Sequence, residues 1–444
     1  MKKKRTVIAI YLVFVMVSFL PLLEKAAAEE KRPYLEAALE ASRWIRASAV
    51  RTEKGTTWPA VPENDESINN TLYSGTPGVV LFFLEAYYST GEKKFLDDAR
   101  SGADYLLATL EEEKGAGLYA GISGIGLALQ ETFKATKDKK YRRGVGFCLE
   151  YLKNNALKKG KGVEWSQTTD IISGTAGTGL FLVYAARERK DSSLLDLAVH
   201  AGQRLIELGR AEGGGTTWAM DPDYPRLMPN FSHGTAGISY FLASLYAETQ
   251  QKKFLDAALS GVRYLQSIAY TENDVCLIFH HEPDGKDLYY LGWCHGPTGT
   301  ARLFYRLYQV TGDKSWMEWS EKCARAILQS GIPEKQTPGF WNNVGQCCGS
   351  AGVAELFLHL HRITNKPEYL DFARRLTSDL LKRGTRDAAG LRWVQAEHRT
   401  RPELLLAQTN LMQGAAGIGL WLLHLDYFEQ GQKQRIVLPD CPFK

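Results

Sequence analysis

Two short segments carry the residue types best suited to chemistry. Cys294-His295-Gly296 and Cys347-Cys348-Gly349 place three thiols and an imidazole beside two glycines. Thiolate and imidazole are the usual protein ligands of Zn2+. Three such ligands with a fourth position open would activate a bound nucleophile, and four would make a closed structural site. The residue types alone leave both readings open, together with metal-free buried thiols and a Cys347–Cys348 disulfide. His233 in Ser232-His233-Gly234 and Asp170 ahead of Gly174 add an imidazole and a carboxylate. That pair suits proton transfer, although Asp is also a favoured helix cap and a histidine at a helix start is an ordinary cap partner.

A repeat brings these residues into register. Gly-x-x-Gly followed by an apolar run occurs seven times, beginning at Gly75, Gly121, Gly174, Gly234, Gly296, Gly349 and Gly414. Aligned on that glycine, the preceding residue reads Ser74, Ala120, Ser173, His233, His295, Cys348 and Gln413. One place earlier stand Tyr73, Tyr119, Ile172, Ser232, Cys294, Cys347 and Met412. Cys294-His295 and Cys347-Cys348 are therefore equivalent positions of neighbouring repeats.

Each motif opens about three turns of helix that are apolar nearly all round, which predicts burial. In most repeats a polar break follows, then an amphipathic helix such as 95–107, 254–268 or 369–381, with apolar residues at i, i+3, i+4 and i+7. The seventh copy has little chain left for an outer helix, while an unpartnered amphipathic segment, 34–49, precedes the first. Pairing these ends closes a ring and hides the apolar faces of the terminal repeats. The expectation is an all-α protein, an α/α toroid of seven inner and seven outer helices. It forms a single domain over residues 29–444, since no Pro/Ser-rich linker interrupts the series. All inner helix N-termini then share one end of the ring. Their partial positive charge favours anions there, which makes that end the natural place for a site.

The seven glycine-rich repeats, the Trp293-Cys294-His295-Gly296 segment and the later Cys347-Cys348-Gly349 resemble the lanthionine synthetase C-like family over nearly all of the chain after residue 28. The resemblance implies a seven-plus-seven toroid holding one zinc ion, with Cys294, Cys347 and Cys348 as ligands. Most relatives have His at the third position, and a subset of promiscuous lantibiotic cyclases has Cys. It also implies a catalytic His233, supported by Asp170, with His295 as a further acid or hydrogen-bond donor. A basic residue found in some cyclases four before the first zinc cysteine is replaced by Tyr290. The implied reaction adds a peptide cysteine thiol to dehydroalanine or dehydrobutyrine, forming a thioether. The implied partner is a dehydrated Cys-containing peptide. Addition of a small thiol such as glutathione to dehydroamino acids in proteins, and zinc-stabilised peptide binding without turnover, are the alternatives.

Charge and composition narrow the rest. The formal net charge is +4 over 444 residues. All of it lies in residues 1–28, where Lys2, Lys3, Lys4, Arg5 and Lys25 face Glu24 alone. The remaining chain is balanced, so no basic footprint for nucleic acid remains. The same segment has the basic start, apolar run and Ala26-Ala27-Ala28 of an export signal. It is either cleaved after Ala28 or retained as an anchor, and an exported protein is expected. Seven cysteines are an odd number for an oxidising compartment, so some thiols must be buried, bound to metal or paired between chains. No Walker loop, nucleophile elbow or dinucleotide fingerprint is present. A toroidal glycosidase needs a carboxylate pair, whereas the aligned positions offer Cys and His with Asp170 alone.

Overall fold

Fourteen α-helices run through the computed structural model, which describes residues 31–221, 223 and 226–443. The predicted export signal, residues 1–28, lies outside these. Residues from Tyr34 onward form one compact unit. The inner helices are α2 (Thr76–Thr90), α4 (Ile122–Thr136), α6 (Thr175–Arg189), α8 (Thr235–Thr249), α10 (Pro297–Thr311), α12 (Ser350–Thr364) and α14 (Ala415–Glu429). The outer helices are α1 (Pro33–Ala47), α3 (Lys93–Ala108), α5 (Lys139–Asn154), α7 (Ser192–Leu208), α9 (Lys252–Ile268), α11 (Lys314–Gln329) and α13 (Pro367–Arg383). Each inner helix packs on its two inner neighbours, and α14 closes the ring on α2. The fold is the expected α/α toroid.

The burial pattern follows from the sequence pattern. In α2 every residue from Thr76 to Ala86 is buried, whereas α3 buries Phe95, Ala99, Gly102, Ala103 and Leu106, one stripe at helical spacing. Helix α1 takes the seventh outer place. Its Arg46 pairs with Asp98 of α3 at 2.9 Å, and its Glu40 pairs with Arg386, beyond α13, at 2.8 Å. No helix among the described residues is long and apolar enough to cross a membrane.

The motif glycines serve close packing. All seven leading glycines have negative φ, so none supplies a left-handed turn. A Cβ on Gly234 would lie 1.3 Å from the Met228 carbonyl oxygen. The second glycines face the carbonyl six residues earlier: a Cβ would come within 1.9 Å of Ile171 O at Gly177, 2.0 Å of Trp293 O at Gly299 and 1.7 Å of Leu411 O at Gly417. Each loop folds back over the start of its own helix, and only a missing side chain leaves room.

Four outer helices run into small antiparallel hairpins. These pair β1 (Val50–Thr52) with β2 (Gly55–Thr57), β3 (Leu157–Lys159) with β4 (Gly162–Glu164), β5 (Arg210–Glu212) with β6 (Gly215–Thr217), and β7 (Thr385–Asp387) with β8 (Gly390–Arg392). Each ends in a tryptophan. The indoles of Trp165, Trp218 and Trp393 donate to the carbonyls of Leu152, Leu205 and Leu380, thirteen residues back, at 2.6–2.8 Å. A fifth hairpin, β9 (Val394–Ala396) with β10 (Leu405–Ala407), lies beside the site.

Candidate functional site

A closed circuit of backbone hydrogen bonds sets the positions of the site residues. Tyr73 N–H donates to Tyr119 O, Tyr119 to Ile172 O, Ile171 to Ser232 O, Ser232 to Cys294 O, Cys294 to Cys347 O, Cys347 to Met412 O, and Met412 back to Tyr73 O, all at 2.9–3.3 Å. These are the aligned positions of the seven repeats, with a one-residue slip at Ile171. The circuit satisfies buried backbone groups and fixes each loop against the next. Cys294 and Cys347 are thus neighbours because their backbones are bonded directly.

The three thiols converge. Cys294 Sγ is 3.3 Å from Cys348 Sγ, Cys348 Sγ is 3.5 Å from Cys347 Sγ, and all three lie within 4.8 Å of one another. They are buried, and none is in a disulfide in this structure. A tetrahedral ion with metal–sulfur bonds of about 2.3 Å holds its sulfurs about 3.8 Å apart. The spacing fits, and the cluster can hold a metal. Hydrogen bonds from Cys294, Cys348 and the Tyr73 hydroxyl hold the Cys347 thiol well below its ordinary value, against its burial. Burial and the hydrogen bond to Cys347 push Cys294 well above it. Cys348 is also raised: its hydrogen bond from Cys294 is outweighed by that to Cys347 and by burial. One thiolate is thus well accommodated, and a second or third needs a cation.

His233 and Asp170 meet across the interface of α6 and α8. Asp170 is 1% exposed and makes three hydrogen bonds. Oδ1 accepts the Ser173 and Gly174 N–H groups at 2.8 Å each, and Oδ2 takes His233 Nδ1 at 2.5 Å. Burial works against the charged imidazole, but the hydrogen bond and charge of Asp170, helped by Cys347, outweigh it and raise the His233 pKa. His295 is also buried, with Nδ1 lacking a hydrogen-bond partner. Burial and the neighbouring histidines hold it neutral, well below the usual histidine range. All six residues anticipated from the sequence lie in this one region. Five of them line a cavity of about 560 Å3, and Asp170 lies behind His233.

Other groups at the cavity have no repeat signature. His280 stacks on His295 with ring centroids 3.9 Å apart, and burial pushes its pKa down to about 3. His280 Nδ1 lies 2.9 Å from His281 Nδ1, and neither joins the thiol cluster. Tyr290 packs edge-on against His280 and Trp341. Arg226, Glu397 and Arg399 line the mouth. Tyr73 was visible in the sequence as the first aligned position, but its contact with Cys347 needs ring closure. His359 is buried in α12, and His361 caps that helix through Lys366 O.

Fold and site together define an α/α-toroid protein with a candidate thiolate metal centre beside a His–Asp pair. The chain belongs to the lanthionine synthetase C-like protein family, whose sequence model matches residues 66–439. A zebrafish (Danio rerio) relative named glutathione S-transferase LANCL1 is 21% identical over 316 residues, covering 69% of this chain and 74% of that protein. Among solved structures, nisin cyclase superposes with a TM-score of 0.61 at 17% identity, covering 88% of this chain and 92% of that one. A family 76 α-mannanase from Bacteroides thetaiotaomicron gives 0.51 at 11% identity, over 89% and 96%. At these identities the likeness is one of fold.

Proposed function

We propose that the protein is a zinc enzyme adding a peptide cysteine thiol to dehydroalanine or dehydrobutyrine, closing a lanthionine-type thioether ring. The observation that carries this reading is the convergence of three buried thiols with a His–Asp pair on one cavity. Cys294, Cys347 and Cys348 would hold the ion. Bound zinc would supply Lewis acidity, keeping a substrate sulfur as thiolate near neutral pH.

The chain's own groups do the rest. As sulfur bonds to the β-carbon, the carbon–carbon double bond becomes an enolate. His233, kept protonated by Asp170, faces the same cavity and delivers a proton to the α-carbon. The thiol's proton leaves to solvent, and His233 is recharged from there. His295, on the same cavity, serves as a hydrogen-bonding group or a further acid. The cavity walls hold both ends of a flexible peptide close, lowering the entropic cost of ring closure. We place this activity outside the cytosol, on the export pattern of residues 1–28.

One comparison favours a second reading. The zebrafish relative's name points to glutathione as a thiol donor, and a small thiol would reach the same cysteines. Mass spectrometry separates the readings. Cyclisation removes an alkylatable thiol from a dehydrated Cys-containing peptide without a change in mass, whereas glutathione addition raises the mass by one glutathione. About one zinc per chain, lost in Cys294→Ala, is expected. A metal-free wild-type protein overturns the zinc reading, and a zinc-loaded protein that does neither reaction is a binder.

A further inference from the structure

The segment after α14, residues 430–443, turns back into the ring between the inner helices. Glu85 of α2 accepts the N–H groups of Arg435 and Ile436 at 2.8 and 2.6 Å. Phe443 stacks between Tyr305 and His359. Between these anchors Asp440 is fully buried and faces three donors: the Tyr119 hydroxyl at 3.0 Å, the Trp293 indole N–H at 3.1 Å and Arg302 at 2.8 Å. Tyr119 belongs to the backbone circuit at the site, and Trp293 immediately precedes Cys294 and lines the reaction cavity.

We propose that this segment is a plug closing the ring beneath the site, and that Asp440, acting through Trp293, is a positioning residue for Cys294. A buried carboxylate is costly unless paired and hydrogen-bonded. Here Arg302 supplies the charge and two neutral donors complete the shell. Burial works against the Arg302 charge, yet Asp440 beside it outweighs this. Tyr119 comes from the second repeat and Trp293 and Arg302 from the fifth, and one carboxylate joins the two repeats. The Trp293 indole also rests on Tyr119 and Phe231, with ring centroids 5.2 and 5.9 Å away. That cage fixes its rotamer, and the backbone carrying Cys294 Sγ is fixed with it. A filled lower end also means that a peptide enters and leaves by one mouth, bent rather than threaded.

The proposal rests on Cys294 belonging to the reactive cluster, so its test has one arm that needs no metal. In the metal-free full chain, the alkylation rate of Cys294 is followed by peptide mass spectrometry, with Cys148, buried in α5, as internal reference. Asp440→Asn keeps an acceptor oxygen and Trp293→Phe keeps the ring. Each is expected to raise the Cys294/Cys148 rate ratio about tenfold, the scale of local rather than global opening. The double variant should add little, because both act on one link. In the second arm, cobalt-loaded variants should show a shifted sulfur-to-cobalt band and about tenfold weaker metal binding, as supporting-shell changes do. An unchanged ratio, or equal acceleration at Cys148, overturns the positioning role. A wild type that takes up no cobalt sinks the metal reading alone, and the alkylation arm still decides this one.

Discussion

Asp170→Asn isolates the proposed acid with the least structural damage. Asparagine has the same shape, with one acceptor oxygen and an NH2 group. The Ser173 and Gly174 N–H groups, both on Oδ1, claim the oxygen. The NH2 group then faces His233 Nδ1, which must accept, and the imidazole proton moves to Nε2. A second proton on Nδ1 would point at a donor. The counter-charge that offsets the burial of His233 is lost as well. Both effects lower its proton affinity. The acid form is present below the His233 pKa and lost as pH rises through it, so the alkaline limb of kcat moves to lower pH. A positioned general acid contributes about 10²–10⁴-fold. A fall in kcat of about a hundredfold at neutral pH is expected, about 2.7 kcal/mol of barrier at 1.36 kcal/mol per tenfold. The thermal midpoint should fall only slightly, since each buried group keeps a partner. Asp170→Ala, by contrast, leaves the Ser173 and Gly174 N–H groups without their acceptor, and the buried Gly174 N–H alone costs about 1–3 kcal/mol. The assay is ring closure in a dehydrated peptide from pH 5.5 to 9, with metal content and melting followed in parallel. A variant with full metal content that retains its rate within twofold, and an unmoved alkaline limb, refutes the reasoning.

Three further outcomes follow from other parts of the molecule. Burial pushes His359 down to about 3; the unfolded chain takes up that proton below about 6.5 while the folded chain does not. Its contribution is therefore intact above about pH 6.5 and lost progressively towards pH 3, so His359→Gln should shrink the stability difference between pH 7 and 4.5 in urea melts. Gly55 has φ +129°, and a Cβ there would lie 2.4 Å from Ser101 O, whereas Gly91 at φ +71° has open space; Gly55→Ala should cost about 2 kcal/mol or more and Gly91→Ala about 1 kcal/mol, read from denaturation midpoints. If Cys348 is a metal ligand as proposed, Cys348→His would replace a thiolate by a neutral ligand, and the less electron-rich centre should add thiols more slowly, by about tenfold, and discriminate more sharply between two competing thiols. Equal rates and unchanged preference at full metal loading would refute that account.

The toroid was legible because every repeat must solve the same packing problem. A loop carbonyl lies against the second motif glycine, and that contact leaves Gly-x-x-Gly in the sequence seven times. The convergence of Cys294, Cys347 and Cys348 was legible for a related reason: the backbone circuit joins aligned positions, so alignment predicts adjacency. The hairpins escaped because three-residue strands are too short to alternate. Their signal was there as Gly55-x-x-Trp58, Gly162-x-x-Trp165, Gly215-x-x-Trp218 and Gly390-x-x-Trp393. His280 over His295, the arginines at the mouth and Asp440 under Trp293 follow no repeat. They arrive from single loops, Asp440 from 147 residues beyond its indole partner, and chain spacing holds no trace of them.

The likeness to an α-mannanase fold sharpens what decides the chemistry here. Glycoside hydrolysis needs two carboxyl groups facing one sugar across about 5–9.5 Å. Glu397 is the one carboxylate lining this cavity among the described residues, and it accepts a hydrogen bond from Gln408 Nε2 at 2.7 Å. Asp170 has both oxygens engaged beneath His233. A single carboxylate on the cavity falls short of the pair that glycoside hydrolysis needs. The ring supplies seven equivalent positions whose backbones are bonded in a circuit and whose side chains are not required for that bonding. Replacing those side chains changes the chemistry while leaving the circuit intact. On the proposed reading, the residues before the motif glycines decide what such a toroid does, and in this chain Cys294, His295, Cys347, Cys348 and His233 would suit it to sulfur and a metal ion.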